Sequence, residues 1–292
     1  MKKLMIITDS NSGITQKEGE ELGIKVVPMP FVINGEEYLE DISLNQEQFY
    51  EKLKDPNADI HTSQPSSYYL EDLFETLLKD YEELVYIPMS SGLSATCANA
   101  TAIAQKFDGR VFVVNNQRIS VTQKESVYEA IAMAKEGKSG KEIHDYLVDT
   151  KMKSIIYIMV ATLKYLKKGG RVTPAAAALG SMLRIKPVLI IKGEKLDSFF
   201  KALTLKQAKI KMIDQIKEDC ETLFKDEYEK GLMVVSVAHT DNEEEALKFK
   251  EEILTALPKL KFRFVDPLSL SVSCHIGPGS LAIAIAINSY LN

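Results

Sequence analysis

The chain has 292 residues, 45% of them hydrophobic and 26% charged, a composition that suits one large globular domain or two moderate ones and buries a core without metal or disulfide staples. Its formal net charge of −5 comes from acids and bases mixed along the sequence, which argues against a nucleic-acid footprint or an anionic-membrane dock. Three scattered cysteines, Cys97, Cys220 and Cys274, with no CxxC pair and only 4 histidines, argue against a disulfide framework or a structural zinc and suit a reducing cytosol.

The apolar run at residues 4–8 meets Asp9 at once, too soon for a signal peptide, and reads as a buried strand. Further strands are expected at 24–27, 84–88 and 111–115. Between them the clearest helix spans 66–81, where Leu70, Leu73, Phe74, Leu77 and Leu78 form one continuous apolar face. Pro65 is expected in its first turn, where a missing N–H costs nothing. Two more helices are expected at 93–107 and 121–137. This alternation predicts an α/β class fold, with an N-terminal α/β/α domain over 1–154 built on a mostly parallel sheet.

After a strand at 155–161 the pattern changes. A short segment at 163–168 runs into the helix stop Gly169-Gly170, and Thr173-Pro174 then reads as an N-cap and first turn opening an Ala- and Gly-rich helix over 175–184. Residues 188–191 and 196–200 flank Lys192-Gly193-Glu194-Lys195 as a β-hairpin. A helix at 205–224, a strand at 232–238, a helix at 243–257 and a strand at 262–265 follow. The second lobe, 155–292, is therefore expected to be α/β with a mixed or antiparallel sheet. The apolar run at 281–287 is far too short to span a membrane, so a cytoplasmic protein without an integral membrane segment is expected.

Three polar, glycine- or proline-punctuated segments stand out. They are His61-Thr62-Ser63-Gln64-Pro65-Ser66-Ser67, Ser90-Ser91-Gly92-Leu93-Ser94-Ala95-Thr96 and Cys274-His275-Ile276-Gly277-Pro278-Gly279. The first two cluster hydroxyls and N–H groups where a helix is expected to begin, a setting that suits an anion. Ser and Thr ahead of a helix commonly do no more than cap it, and a single His in a Gly-Pro-Gly loop is commonly structural. The segments are rich in donors and poor in charge, and such a set can hold a carboxylate. Ser94 or Ser63 with His275 would make a Ser–His pair, yet neither serine lies in a G-x-S-x-G elbow and no orienting acid is evident. No phosphate-binding loop or dinucleotide fingerprint is present. Asp9, in Asp9-Ser10-Asn11-Ser12-Gly13, reads better as a loop cap than as a metal ligand. No catalytic residue, metal ligand or cofactor is expected.

In this order the segments resemble the DegV family, the bacterial fatty-acid-binding proteins of the fatty acid kinase system. Ile7-Thr8-Asp9-Ser10 resembles the family's opening strand and loop, and Thr62-Ser63-Gln64-Pro65-Ser66 its Thr-Ser-x-Pro segment. The segment from Ser90 to Thr96, Lys168-Gly169-Gly170-Arg171, Gly180 with Ile185-Lys186-Pro187, and His275-Ile276-Gly277-Pro278-Gly279 complete the match. The resemblance implies a two-domain carrier that holds one long-chain fatty acid between its lobes and does no chemistry of its own. Thr62, Ser94 and His275 would grip the carboxylate, with Ser63 and the backbone at Gly277 nearby. A partner fatty acid kinase would phosphorylate that carboxylate using ATP, meeting the carrier at Arg171. Ala95 stands where the family has glycine, Asn115-Asn116 replace its acidic and hydroxyl pair, and Leu203 stands where relatives often have arginine. Apolar stretches at 155–160, 175–183 and 281–287 would suit an acyl tunnel, although ordinary core packing gives the same pattern. Two other readings stay open: an acyl hydrolase using Ser94 and His275, and a lipid-sensing regulatory module.

Overall fold

In the computed structural model, which describes residues 2–55, 57–170, 173, 174, 176, 185–194 and 196–291, the chain divides into two units. The first holds the residues up to Lys151 together with Ser269–Ser271, and the second holds Met152–Leu268 and Val272–Leu291.

Seven strands of the first unit are β1 (Lys2–Asp9), β2 (Lys25–Val27), β3 (Pro30–Ile33), β4 (Glu36–Leu39), β5 (Ile60–Thr62), β6 (Tyr81–Ile87) and β7 (Val111–Val113). Four of them form the expected parallel sheet, in the order β2-β1-β6-β7. Ile7, Leu84 and Tyr86 on this sheet pack with Leu70 and Phe74 of the helix Ser67–Leu77 and with Ala100 and Ile103 of the helix Thr96–Ala104. The apolar stripe thus faces the core as read. Pro65 does not occupy the first turn, because Ser66 caps that helix through the Tyr69 N–H and leaves the proline just outside. The helix expected from 93 starts later, since Leu93 and Ser94 donate their N–H groups to Ser90 O and close a turn first.

The helices Gln16–Leu22 and Gln46–Leu53 lie outside the sequence reading, as do two further features of this unit. One is a second, antiparallel sheet in the order β4-β3-β5, whose β3–β4 hairpin turns on Asn34 and Gly35 at φ 53° and 82°. Positive φ at both turn residues is what Asn-Gly supplies. The other is the helix Gly140–Asp149, opened by a capping box between Ser139 and Glu142. It follows the expected long helix, which runs Ser120–Lys135.

The second unit contains β8 (Ser154–Met159), β9 (Lys186–Ile191), β10 (Leu196–Ala202), β11 (Met233–Thr240), β12 (Lys261–Pro267) and β13 (Ser280–Ile287). They form one mixed sheet, β10-β9-β8-β13-β11-β12, antiparallel except between β11 and β12. The run at 281–287 is a central strand of this sheet, buried at every position. A strand covered on both faces reads as continuously apolar, which explains its sequence. Leu281, Ile283 and Ile285 share a core with Tyr157, Met212 and Ile216, and with Phe249 and Ile253 from the helix Glu243–Ala256. The helix expected at 205–224 ends at Glu221, and a separate short helix, Lys225–Glu229, follows. Gly170, at φ 64°, ends the helix Lys164–Gly169. Most of the helix expected at 175–184 lies outside the described residues, as does Arg171, but the Ala176 N–H donates to Thr173 Oγ1 at 3.3 Å. No helix among the described residues is long and apolar enough to cross a membrane.

Candidate functional site

In the first unit the strand order reverses between β1 and β6, because the chain leaves β1 toward β2 on one side and returns to β6 on the other. The carboxyl ends of parallel strands at such a reversal form a crevice for ligands. The segment carrying Ser94 leaves that end of β6. Its start is fixed twice, by the Met89 N–H donating to Asp9 Oδ2 at 2.9 Å and the Ser90 N–H donating to Arg118 O at 2.8 Å. Ser94 is half-buried, and its Oγ accepts from the Thr96 N–H at 3.2 Å and lies 2.8 Å from Thr96 Oγ1. The hydroxyl therefore binds the first N–H of the helix that follows, whose N-cap is Ala95, and among the described residues no base is bonded to it. Ala95 has φ −74°, so this position places no demand for glycine.

Thr62 ends β5, an edge strand of the small antiparallel sheet, where it pairs with Phe31. The Ser63 N–H continues the pairing to Pro30 O at 3.0 Å, and the Ser63 side chain is exposed. Ser67, the first residue of the helix that follows, donates to Asn99 Oδ1 of the helix Thr96–Ala104 at 3.0 Å. The starts of these two helices therefore lie side by side.

The second unit supplies His275 and Gly277 on one tight loop. His275 sits in the last turn of the helix Leu270–Ile276, half-buried. Gly277 leaves that helix at φ 76°, donating its N–H to Ser273 O at 2.8 Å. Thr240, the last residue of β11, pins the loop. Its hydroxyl donates to Gly277 O at 2.6 Å and accepts from the Ser280 N–H at 2.9 Å, while its carbonyl accepts from the Gly279 N–H at 2.7 Å. A Cβ on Gly277 would lie 2.3 Å from Tyr165 Cδ2, so the ring of Tyr165 is pressed on the bare backbone.

Asp9 is the loop cap expected from the sequence, while the other supports of these loops escaped that reading. Asp9 is fully buried and caps the turn Ser10–Ser12 through the Asn11 N–H. Gln123 from the helix Ser120–Lys135 donates to Asp9 Oδ1 at 3.0 Å and to Ile87 O at 3.0 Å. Burial holds the Asp9 carboxyl above the usual carboxylate range, against the pull of these donors. Nearby, Arg118 is buried with Nη1 2.9 Å from Ser126 Oγ and 3.7 Å from Glu129 Oε2, and desolvation lowers its pKa. No cluster of potential metal ligands occurs among the described residues. Leu203 is 69% exposed, with its N–H donating to Gln207 Oε1 at 2.7 Å.

Together these features define a two-unit α/β protein with a parallel sheet in one unit, a mixed sheet in the other, and polar loops at strand and helix ends. The chain belongs to the DegV family, whose model, described as "Uncharacterised protein, DegV family", matches residues 3–288. It is similar to the protein DegV of Bacillus subtilis (strain 168), with 32% identity across 96% of this chain and 98% of the relative. Among solved structures it is similar to that of "DegV, a fatty acid binding protein from Bacillus subtilis", with a TM-score of 0.84 and 31% identity over 99% of this chain and 100% of the other. A second, "Fatty Acid Binding of a DegV family Protein from Thermus thermophilus", has a TM-score of 0.89 and 26% identity over 98% and 100% of the two chains.

Proposed function

We propose that the chain binds one long-chain fatty acid, its carboxylate held by the Thr62 and Ser94 hydroxyls and His275, with Ser63 and the backbone at Gly277 nearby. The acyl chain lies in an apolar slot. The observation that carries this reading is the end-to-end likeness, at 31% identity, to a solved Bacillus subtilis protein described as fatty acid binding. The chemistry supports it too, since the first-unit members of the set are neutral hydroxyls that can donate to a carboxylate.

Each buried methylene contributes about 0.8 kcal/mol, so about 15 of them contribute about 12 kcal/mol before ordering and desolvation are subtracted. The tail supplies the affinity and the head group sets the orientation. Purified protein is denatured in organic solvent and the extract analysed by mass spectrometry. Stoichiometric long-chain fatty acid is expected, and its repeated absence from well-folded preparations defeats the reading.

The carrier performs no bond-making step of its own and presents the carboxylate to a partner kinase for acyl-phosphate formation. Hydroxyl donors suit this task, whereas a bidentate arginine would mask the oxygens that must be phosphorylated. Arg171→Ala is expected to leave lipid content intact and to lower kinase-coupled turnover. Unchanged turnover removes Arg171 from the partner surface.

A further inference from the structure

Glu40 is a buried carboxylate for which the proposed ligand chemistry has no use. It is 6% exposed, and its two oxygens engage chain segments far apart in sequence. Oε2 accepts from the Ser10 hydroxyl at 2.6 Å, and Ser10 Oγ accepts in turn from the Met29 N–H at 3.1 Å. Oε1 accepts from the N–H of Leu270, the first residue of the helix that carries His275. Beside it, Asn11 Oδ1 accepts from the hydroxyls of Ser269, at 3.2 Å, and of Ser271. The Asn11 amide is itself fixed, donating to Asp9 Oδ1 at 3.1 Å. Ser269–Ser271 thereby belongs to the first unit, although Leu268 before it and Val272 after it belong to the second.

We infer that Glu40 and Asn11 are positioning residues for His275: they clasp the start of its helix, and ionisation of Glu40 loosens the clasp. The consequence for ligand, faster fatty-acid exchange when the clasp opens, rests on the proposed function; the clasp itself does not.

The direction follows from the surroundings of the carboxyl. Among the described residues no Lys, Arg or His pairs with Glu40, and the charged groups facing it are Asp9 and Asp41, both acidic. Burial above all, with a smaller push from those two acids, raises the Glu40 carboxyl from 4.5 to about 7. An open clasp returns it to water and to its ordinary pKa. The closed form therefore binds the proton more tightly and is favoured at low pH. Opening rises about tenfold per pH unit between the two pKa values and levels off above the higher one. Asp9 is raised as well, and none of its causes involves Glu40, so it is common to the wild type and to Glu40→Gln.

The test is hydrogen–deuterium exchange of peptides spanning 268–277 in the full chain, corrected for intrinsic amide rates, from about pH 5 to about pH 8. In the wild type, opening is expected to increase at least about tenfold between pH 5 and pH 7. Glu40→Gln keeps an acceptor for Leu270 and cannot ionise, so it is expected to stay near the low-pH level. Asn11→Ala is expected to open more at every pH while keeping the step. Superimposable profiles for wild type and Glu40→Gln overturn the inference. Should Glu40→Gln fail to fold, Asn11→Ala decides alone, and unchanged protection across 268–277 overturns it. Exchange of a labelled fatty acid in the same samples is expected to accelerate in step with opening. A Glu40-dependent step in protein that binds no fatty acid upholds the clasp and defeats the binding reading instead.

Discussion

Gly277 occupies a conformation and a space that no side chain shares. Its φ of 76° lies in the left-handed region, and an added Cβ would stand 2.3 Å from the ring of Tyr165. The first condition costs an L-residue about 1 kcal/mol and the second, as overpacking, about 1–3 kcal/mol. Gly277→Ala is therefore expected to destabilise the second unit by about 2–4 kcal/mol, read as a lower midpoint in urea. The two causes separate in a double-mutant cycle. In a Tyr165→Ala background the clash is gone and the backbone strain remains, so the same substitution is expected to cost only about 1 kcal/mol. An equal cost in both backgrounds refutes the steric assignment. The glycine was legible as a turn residue because Gly-Pro-Gly has few other uses. Tyr165 and Thr240, which fix the loop, were not, since nothing in a tyrosine or a threonine says which distant backbone it will touch.

Elements of the first unit meet at the carboxyl end of β1, where two buried acids join them. Asp9 ties β1 to the segment after β6 and to the helix Ser120–Lys135, and Glu40 ties the turn after β1 to Leu270. Burial raises both carboxyls, so the folded chain keeps protons that the unfolded chain has already released. For Glu40 the resulting stability is complete below the ordinary pKa of 4.5 and is lost as pH rises toward about 7. That displacement corresponds to about 3 kcal/mol, so Glu40→Gln is expected to stabilise the protein by up to about that amount at pH 8 and to change little at acid pH. Denaturant titrations at the two pH values check this, and a destabilised variant at pH 8 would show that the buried charge is net favourable. How readable these elements were depends on the reach of their causes. The stripe from Leu70 to Leu78, the Asn34-Gly35 hairpin turn and the Ser139–Glu142 capping box are local, and each is written within a few residues. The Asn34-Gly35 turn and the Ser139–Glu142 box lie outside the sequence reading all the same, although each has a local signature. The Glu40–Leu270 bond joins residues 230 apart, and no window on the sequence brackets it. The polar segments bearing Thr62, Ser94 and His275 were legible because turn-forming residues mark them, while their supports belong to the long-range class.

At the scale of the molecule, each unit carries a core of its own. One is built around Ile7, Phe74 and Tyr86, the other around Tyr157, Phe249 and Ile283. Two cores permit two unfolding steps, and a ligand reports on both only if both hold it. The proposed head-group set takes Thr62, Ser63 and Ser94 from the first unit and His275 with Gly277 from the second, so it couples the steps through one carboxylate. Ligand binding confined to the folded state contributes RT ln(1 + [L]/Kd), about 2.7 kcal/mol at a hundredfold excess over Kd. Protein stripped of lipid on an apolar resin is expected to unfold at lower temperature, with its steps further apart. Adding a long-chain fatty acid back is expected to raise both steps and draw them together, as calorimetry would record. Thr62→Val or Ser94→Ala is expected to weaken this response in both steps, because a ligand held less well by one unit is also lost to the other. If fatty acid raises a single step and leaves the second where it was, the carboxylate is held within one unit, and the assignment of Thr62, Ser94 and His275 to one head-group site fails.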